Sequence, residues 1–117
     1  MGKKLHKALK IDVKWAGQAA IVKLCGSAGM GEAEKLRQKL EEIVLKKPRV
    51  IVLDLGEIDF IGSAGLGAIV TGYLKSRHHG GQIRLVNPSQ TVRELLETTR
   101  LTRLFEVFDS VESSLSG

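Results

Sequence analysis

Residues Val50–Val70 read VIVLDLGEIDFIGSAGLGAIV, and this stretch is the most informative part of the chain. Its beginning is almost entirely apolar, which is typical of a central strand that is covered on both faces. A short acidic turn follows, and the small residues Gly62–Gly65 precede apolar positions at helical spacing. The stretch therefore predicts a strand over Val50–Leu55, an elbow, and an amphipathic helix that begins at Ser63.

Ser63 is the candidate for chemistry in this stretch. A hydroxyl group at a helix start faces backbone N–H groups that have no intrahelical partner, and it lies at the positive end of the helix dipole. Both features favour a phosphate group, which would add about −1.5 to −2 charges at pH 7. The pattern alone leaves two interpretations open, because Ser63 is either a simple helix N-cap or a phosphorylation switch.

The motif Phe60–Gly67 reads FIGSAGLG and resembles the signature of the STAS domain, the module of anti-sigma factor antagonists. Members carry Asp-Ser-Ser-Gly-Leu-Gly or Asp-Ser-Thr-Gly-Leu-Gly after an aromatic-hydrophobic pair. The resemblance covers nearly the whole chain, including the turn and strand at Gly80–Leu85 and the apolar run from Val92 to Phe105. The phospho-acceptor position of the motif falls on Ser63. Gly62 replaces the acidic residue of the family motif, and Ala64 replaces its second hydroxyl residue.

The resemblance also implies a function. The unphosphorylated form would bind an anti-sigma factor and free a sigma factor, and the anti-sigma factor would act as a serine kinase on Ser63. A phosphatase would reset the switch. Asp54 and Asp59 are candidates to compensate for the missing family acid. The partner-binding residues implied by the resemblance are Gly29, Asp59, Gly62, Ser63, Ala64 and Gly65.

The remaining chain predicts an α/β fold. Strands at Leu9–Trp15 and Ala19–Cys25 form a hairpin, and helices then alternate with strands. We expect a STAS-like central mixed β-sheet of four to five strands, with about four helices packed largely on one side, in one domain over residues 1–117 with a loose N-terminus at 1–8. The other predicted elements are helices at Glu32–Leu45, Ser63 to near His79, Gln90–Thr98 and after Ser110, and strands at Gln82–Val86 and Leu104–Phe108. A capping box is predicted at Asp109/Glu112, and another at Thr91/Glu94 if the third helix starts late.

Two other functional classes need to be weighed. The segment Gly26–Gly31 predicts a glycine-rich loop, so the alternative function is a STAS-like ligand-sensing or scaffold module that binds a nucleotide or anion beside the Ser63 helix start. The segment does not match G-x-G-x-x-G. A serine hydrolase is disfavoured because Ser63 lacks the first glycine of G-x-S-x-G, and His78 and His79 lie about 20 Å away along the helix. We expect no enzyme activity, no cofactor and no metal.

Composition narrows the partners further. The 117 residues carry a net charge of +5, and four lysines lie among the first ten residues. Without exposed aromatics or a docking motif, these lysines do not indicate direct nucleic-acid binding. The longest apolar runs are far too short for a membrane span, and no signal sequence is visible. Cys25 is the single cysteine, and we expect a buried, reduced thiol in a cytoplasmic protein.

Overall fold

The computed structural model describes residues 8–116. Residues 1–7, which hold most of the segment expected to be loose, lie outside the described residues, and Ala8 is exposed ahead of the first strand. In chain order the elements are β1 (Lys10–Ala16), β2 (Ala19–Ala28), α1 (Met30–Leu45), β3 (Val50–Ile61), α2 (Ser63–Arg77), β4 (Gln82–Val86), α3 (Gln90–Thr98), a 3₁₀ turn (Leu101–Arg103), β5 (Glu106–Phe108) and α4 (Val111–Leu115).

The predicted mixed sheet is confirmed. Its strand order is β1-β2-β3-β4-β5, with β1 antiparallel to β2 and the later pairs parallel. Each helical crossover steps to the next strand in the same direction, so right-handed connections put α1, α2 and α3 on one face. Helix α4 lies on the other face, where Arg84, the register partner of Val52, donates a hydrogen bond to the carbonyl of Ser114.

The core lies between the sheet and the three crossover helices. Alternate residues of the strands, such as Val22, Leu53 and Leu85, are almost completely buried there with Leu36 of α1 and Ile69 of α2. Burial of one such side chain contributes about 1.5–3 kcal/mol. The core therefore fixes the positions of α1 and α2, which both begin at the carboxyl edge of the sheet.

Two strands are longer than the sequence predicts. Strand β2 continues past Cys25 to Ala28, and β3 continues past Leu55 to Ile61. The two extensions pair with each other in parallel across two register shifts. Glycine and acidic residues in these segments read as turn signals, but pairing between neighbouring strands satisfies their backbone groups.

Other boundaries shift slightly. Helix α1 begins at Met30 rather than Glu32, and α2 ends at Arg77 rather than near His79. The reversal after α2 uses Gly80, whose φ of +80° is a conformation that side chains disfavour.

The predicted caps are wrong in detail. Ser89, not Thr91, caps α3, since its hydroxyl accepts a backbone N–H three residues on at 3.3 Å. Helix α4 does have a capping box, but its members are Ser110 and Ser113 rather than the pair Asp109/Glu112. Each cap lies one or two residues from its predicted place because several adjacent polar residues are equally suitable in sequence.

Cys25 is half-buried rather than buried, because it lies on the sheet face that α1 and α2 leave open. Its register partners are Lys10 and Glu57, and its Sγ lies 3.7 Å from a carboxylate oxygen of Glu57. Among residues 8–116, no helix is long and apolar enough to cross a membrane.

Candidate functional site

Helices α1 and α2 begin side by side. Ala28 and Ile61 are register partners at the ends of β2 and β3, and the residues that follow them, Gly29 and Gly62, are the N-caps of α1 and α2. The N–H of Gly62 donates to the carbonyl of Ala28 at 2.9 Å, which ties the two starts together. Two helix N-termini, each with positive dipole character, therefore share one edge of the sheet.

Ser63 is the first residue of α2, and its side chain is exposed. The N-cap is Gly62, so the interpretation of Ser63 as the N-cap is wrong. The N–H of Leu66 donates to the carbonyl of Gly62 at 3.0 Å, and the N–H groups of the residues between them have no partner within the helix. No side chain caps this turn, so the donors beside the Ser63 hydroxyl are available to an incoming anion.

The glycines at this edge have different roles. A Cβ at Gly65 would lie 2.9 Å from the carbonyl oxygen of Ala28 and 3.0 Å from Cγ1 of Ile61, so α2 can rest on the sheet only with glycine there. At Gly62 and Gly29 a Cβ would be 3.5 Å and 3.9 Å from the ring of Phe60, which are ordinary contacts. Gly65 is also buried. It therefore supports the site from beneath, which corrects its assignment as a partner contact.

Two large apolar side chains are exposed at the edge of the sheet where α1 and α2 begin. The Phe60 ring lies between Gly29 and Gly62 and is 52% exposed, while Met30, the first residue of α1, is 86% exposed. Ala64, the second residue of α2, is also exposed. Exposed aromatic and Met side chains are enriched in protein–protein interfaces, so this surface has the character of a binding face.

A groove between α2 and α3 opens next to Ser63. Its volume is about 510 Å³, and we call it the α2–α3 groove. Apolar side chains form most of its walls, and Ser63 lies on its lining. The groove is lined by, among others, Phe60, Ile61, Leu66, Val92, Leu95 and Thr98. Sequence reasoning missed the groove because it forms only where α3 packs beside the first turn of α2.

The two candidate acids are in different places. Asp59 is exposed, two residues before the end of β3. Asp54 instead pairs in register with Lys23 and accepts a hydrogen bond from the Gly56 N–H at 3.1 Å. Lys23 precedes Ala28 by five residues of β2, which is about 16 Å at 3.3 Å per residue. The expectation that Asp54 lies near Ser63 is therefore wrong.

The predicted glycine-rich loop does not exist as a loop. Gly26–Ala28 belongs to β2, and Met30 and Gly31 belong to α1, so only Gly29 separates the two elements. A single extended residue cannot wrap a phosphate as a longer glycine loop does. At the other end of α2, Nε2 of His79 lies 3.0 Å from the carbonyl of Pro48. No group of metal-ligating side chains occurs within residues 8–116.

An ion pair connects α1 and α2. Glu41 of α1 accepts a hydrogen bond from Lys75 of α2 and another from Arg37 at 2.7 Å. The hydrogen bond from Lys75, followed by the charge of Arg37, lowers the pKa of Glu41 below its usual value. On the open face, Lys23 lies 2.8 Å from Glu57, and the hydrogen bond between them lowers the pKa of Glu57 and raises that of Lys23.

Known proteins share this architecture. The family model described as STAS domain matches residues 10–114. BtrV of Bordetella bronchiseptica, which carries a provisional name as an anti-sigma factor antagonist, is 34% identical over 94 residues, or 80% of this chain and 81% of the relative. The anti-sigma F factor antagonist of Paenibacillus polymyxa is 25% identical over 109 residues, or 92% of this chain and 93% of the relative.

The solved structures include an anti-sigma factor antagonist from Mycobacterium paratuberculosis. It superposes with a TM-score of 0.85 at 24% identity, over 93% of this chain and 92% of the other. At that identity, the likeness establishes a shared fold.

Proposed function

Because the chain belongs to the STAS domain family of anti-sigma factor antagonists, we propose that it binds an anti-sigma factor and so frees a sigma factor. The anti-sigma factor acts as a serine kinase on Ser63, and a phosphatase removes the phosphate. The chain has no catalytic activity of its own and acts in the cytoplasm. The observation that carries this proposal is the exposed Ser63 hydroxyl at the uncapped start of α2.

The proposed partner-binding face surrounds that hydroxyl. Gly29, Asp59, Gly62 and Ala64 contribute small or short groups at the surface, which would let the partner's backbone approach closely. Phe60 and the α2–α3 groove supply the apolar area that a stable interface needs. We therefore expect the partner to present apolar side chains to the groove and a polar group to Ser63.

Phosphorylation should leave the fold intact. A phosphate on Ser63 would lie in the first turn of α2, where backbone N–H groups and the helix dipole favour negative charge by about 0.3–1 kcal/mol. The side chain already points into solvent, so no buried contact is lost. The domain then carries the phosphate without strain.

The same phosphate should break the complex. Ser63 lines an apolar groove, and a partner seated there would have to strip water from a group of nearly two negative charges. Burying that charge without a matching cation costs far more than the groove's apolar contacts gain. The opposite signs of these two effects, in the free domain and in the complex, are what make Ser63 a switch.

The test compares charge at two helix starts. Ser63→Asp places a carboxylate at the proposed face, and Ser113→Asp places one in the first turn of α4, on the opposite face of the sheet. Both variants, with Ser63→Ala, should melt within a few degrees of the parent protein. Calorimetric titration with the cognate anti-sigma factor should then show at least about a tenfold loss of affinity, or 1.4 kcal/mol, for Ser63→Asp alone.

Two results would contradict the proposal. Undiminished binding by a folded Ser63→Asp protein would mean that the partner does not cover Ser63. An equal loss of affinity in Ser113→Asp would mean that a negative charge anywhere on the molecule weakens binding. The effect of Ser63→Asp would then not be specific to Ser63.

A further inference from the structure

A second concave site lies at the opposite end of the sheet from Ser63. It has a volume of about 370 Å³ and forms where β2, β3 and β4 begin. Its polar lining is Gln18, Arg49, Gln82 and Arg84, and no carboxylate side chain from residues 8–116 contributes to it. The apolar part of the lining consists of Ala16, Ala19, Val50 and Leu115. We call this site the Arg49–Arg84 pocket.

Arg84 is held in place but keeps unused donors. Its guanidinium group donates to the carbonyl of Ser114 and to Oε1 of Gln82, the latter at 3.1 Å. A guanidinium group has five N–H donors, so one further N–H on each Nη atom remains besides the Nε–H. The Nε atom is buried without a hydrogen bond and lies 3.9 Å from a carboxylate oxygen of Glu106, too far to donate to it.

Arg49 supplies a second positive charge. Its backbone is fixed between strands, because its N–H donates to the carbonyl of Gln18 at 2.9 Å and its carbonyl accepts from Gln82 at 3.0 Å. Its guanidinium group makes no hydrogen bond or ion pair with the part of the chain that the structure describes. A fixed backbone with an unpaired cationic side chain at the mouth of a pocket is suited to capture an anion.

We propose that the Arg49–Arg84 pocket binds a small organic carboxylate. A planar carboxylate accepts paired charge-assisted hydrogen bonds from guanidinium groups, and two arginines line this pocket. The apolar walls at Ala19, Val50 and Leu115 would pack against the hydrocarbon part of the ligand. The volume lies within the range of small-molecule sites. Leu115 belongs to α4, which lies on the sheet face opposite α1, α2 and α3. The ligand would therefore contact α4.

Benzoate is a suitable probe, because it joins a carboxylate to a small apolar ring. It would be titrated into the ¹⁵N-labelled full chain at constant ionic strength, with chloride as the compensating anion. We expect saturable shifts at the amides of Gln18, Gln82 and Arg84 and at the Arg84 Nε–H. Arg49→Gln should weaken benzoate binding at least about fivefold, since it removes a charge-assisted hydrogen bond. Arg103→Gln, an exposed arginine outside the pocket, is the matched control.

The outcomes separate pocket recognition from diffuse attraction. Equal binding by Arg49→Gln and the parent protein would overturn the proposal, as would shifts spread evenly over exposed lysines. Inorganic phosphate titrated in parallel should bind more weakly than benzoate, because it has no apolar part. Phosphate binding at least as tightly would overturn the assignment to a carboxylate. None of these measurements involves an anti-sigma factor or Ser63, so their result is independent of the proposed switch.

Discussion

Gly65 and Gly67 offer a sharp test of how α2 is placed. Both lie in the first two turns of α2, and both would gain about 0.5–1 kcal/mol from alanine through backbone entropy and helix propensity. A Cβ at Gly67 meets nothing within 4 Å, whereas one at Gly65 meets the carbonyl oxygen of Ala28 at 2.9 Å. Since the propensity gain is shared, the difference between the two variants isolates the steric cost at Gly65.

That cost should resemble other overpacking substitutions, about 1–3 kcal/mol. Gly67→Ala is expected to be more stable than the parent protein. Gly65→Ala is expected to be less stable than the parent, by up to about 2.5 kcal/mol once the gain from alanine is subtracted from the steric cost. At about 4 °C per kcal/mol for a chain of this size, the two melting temperatures should differ by about 4–12 °C. Thermal melts followed by circular dichroism, supported by urea titrations, would measure the difference.

A Gly65→Ala protein as stable as Gly67→Ala would refute the close approach of α2 to the end of β2. The position of Ser63 relative to Gly29 would then need to be revised, because both depend on that contact.

Three further substitutions test other parts of the account. Glu41→Gln should lower stability at pH 7, because the ion pairs with Arg37 and Lys75 exist only while Glu41 is charged. The stability difference between Glu41→Gln and the parent protein should vanish as pH falls below the lowered pKa of Glu41, and urea midpoints between pH 3 and 7 would measure it. Leu53→Ala, at a fully buried position, should cost about 2–5 kcal/mol in urea unfolding. Phe60→Ala should melt within a few degrees of the parent but bind the anti-sigma factor more weakly in calorimetry.

The sequence predicts the element order well because hydrophobic periodicity is strong in this chain. The continuous apolar run at Val50–Leu55 and the helical spacing after Ser63 need no tertiary information. The extension of β3 to Ile61 could not be predicted in the same way, because Gly56 and Glu57 have low strand propensity. Their strand conformation follows from pairing with β2, which is a tertiary interaction.

The candidate site also has features that the sequence predicts and features that depend on tertiary structure. The motif alone identifies Ser63 and places it at the start of a helix. The sequence does not reveal that Gly62 is the cap, that Gly65 is buried, or that Asp54 lies at a distance along β3. Each of these depends on how far β2 and β3 run before the helices begin. The α2–α3 groove and the Arg49–Arg84 pocket also combine residues distant in sequence, so no local pattern indicates them.

The proposed switch at Ser63 is tested by locating the phosphate after incubation with the cognate anti-sigma factor and ATP. Peptide mass spectrometry of the purified product is the measurement. We expect one phosphate on Ser63, none on the Ser63→Ala protein, and loss of the anti-sigma factor complex in proportion to phosphorylation. Ser76 is buried and Ser27 is half-buried in β2, so neither should react. A phosphate on Ser27 or elsewhere with Ser63 unmodified, or a fully phosphorylated Ser63 protein that still binds its partner, would contradict the account.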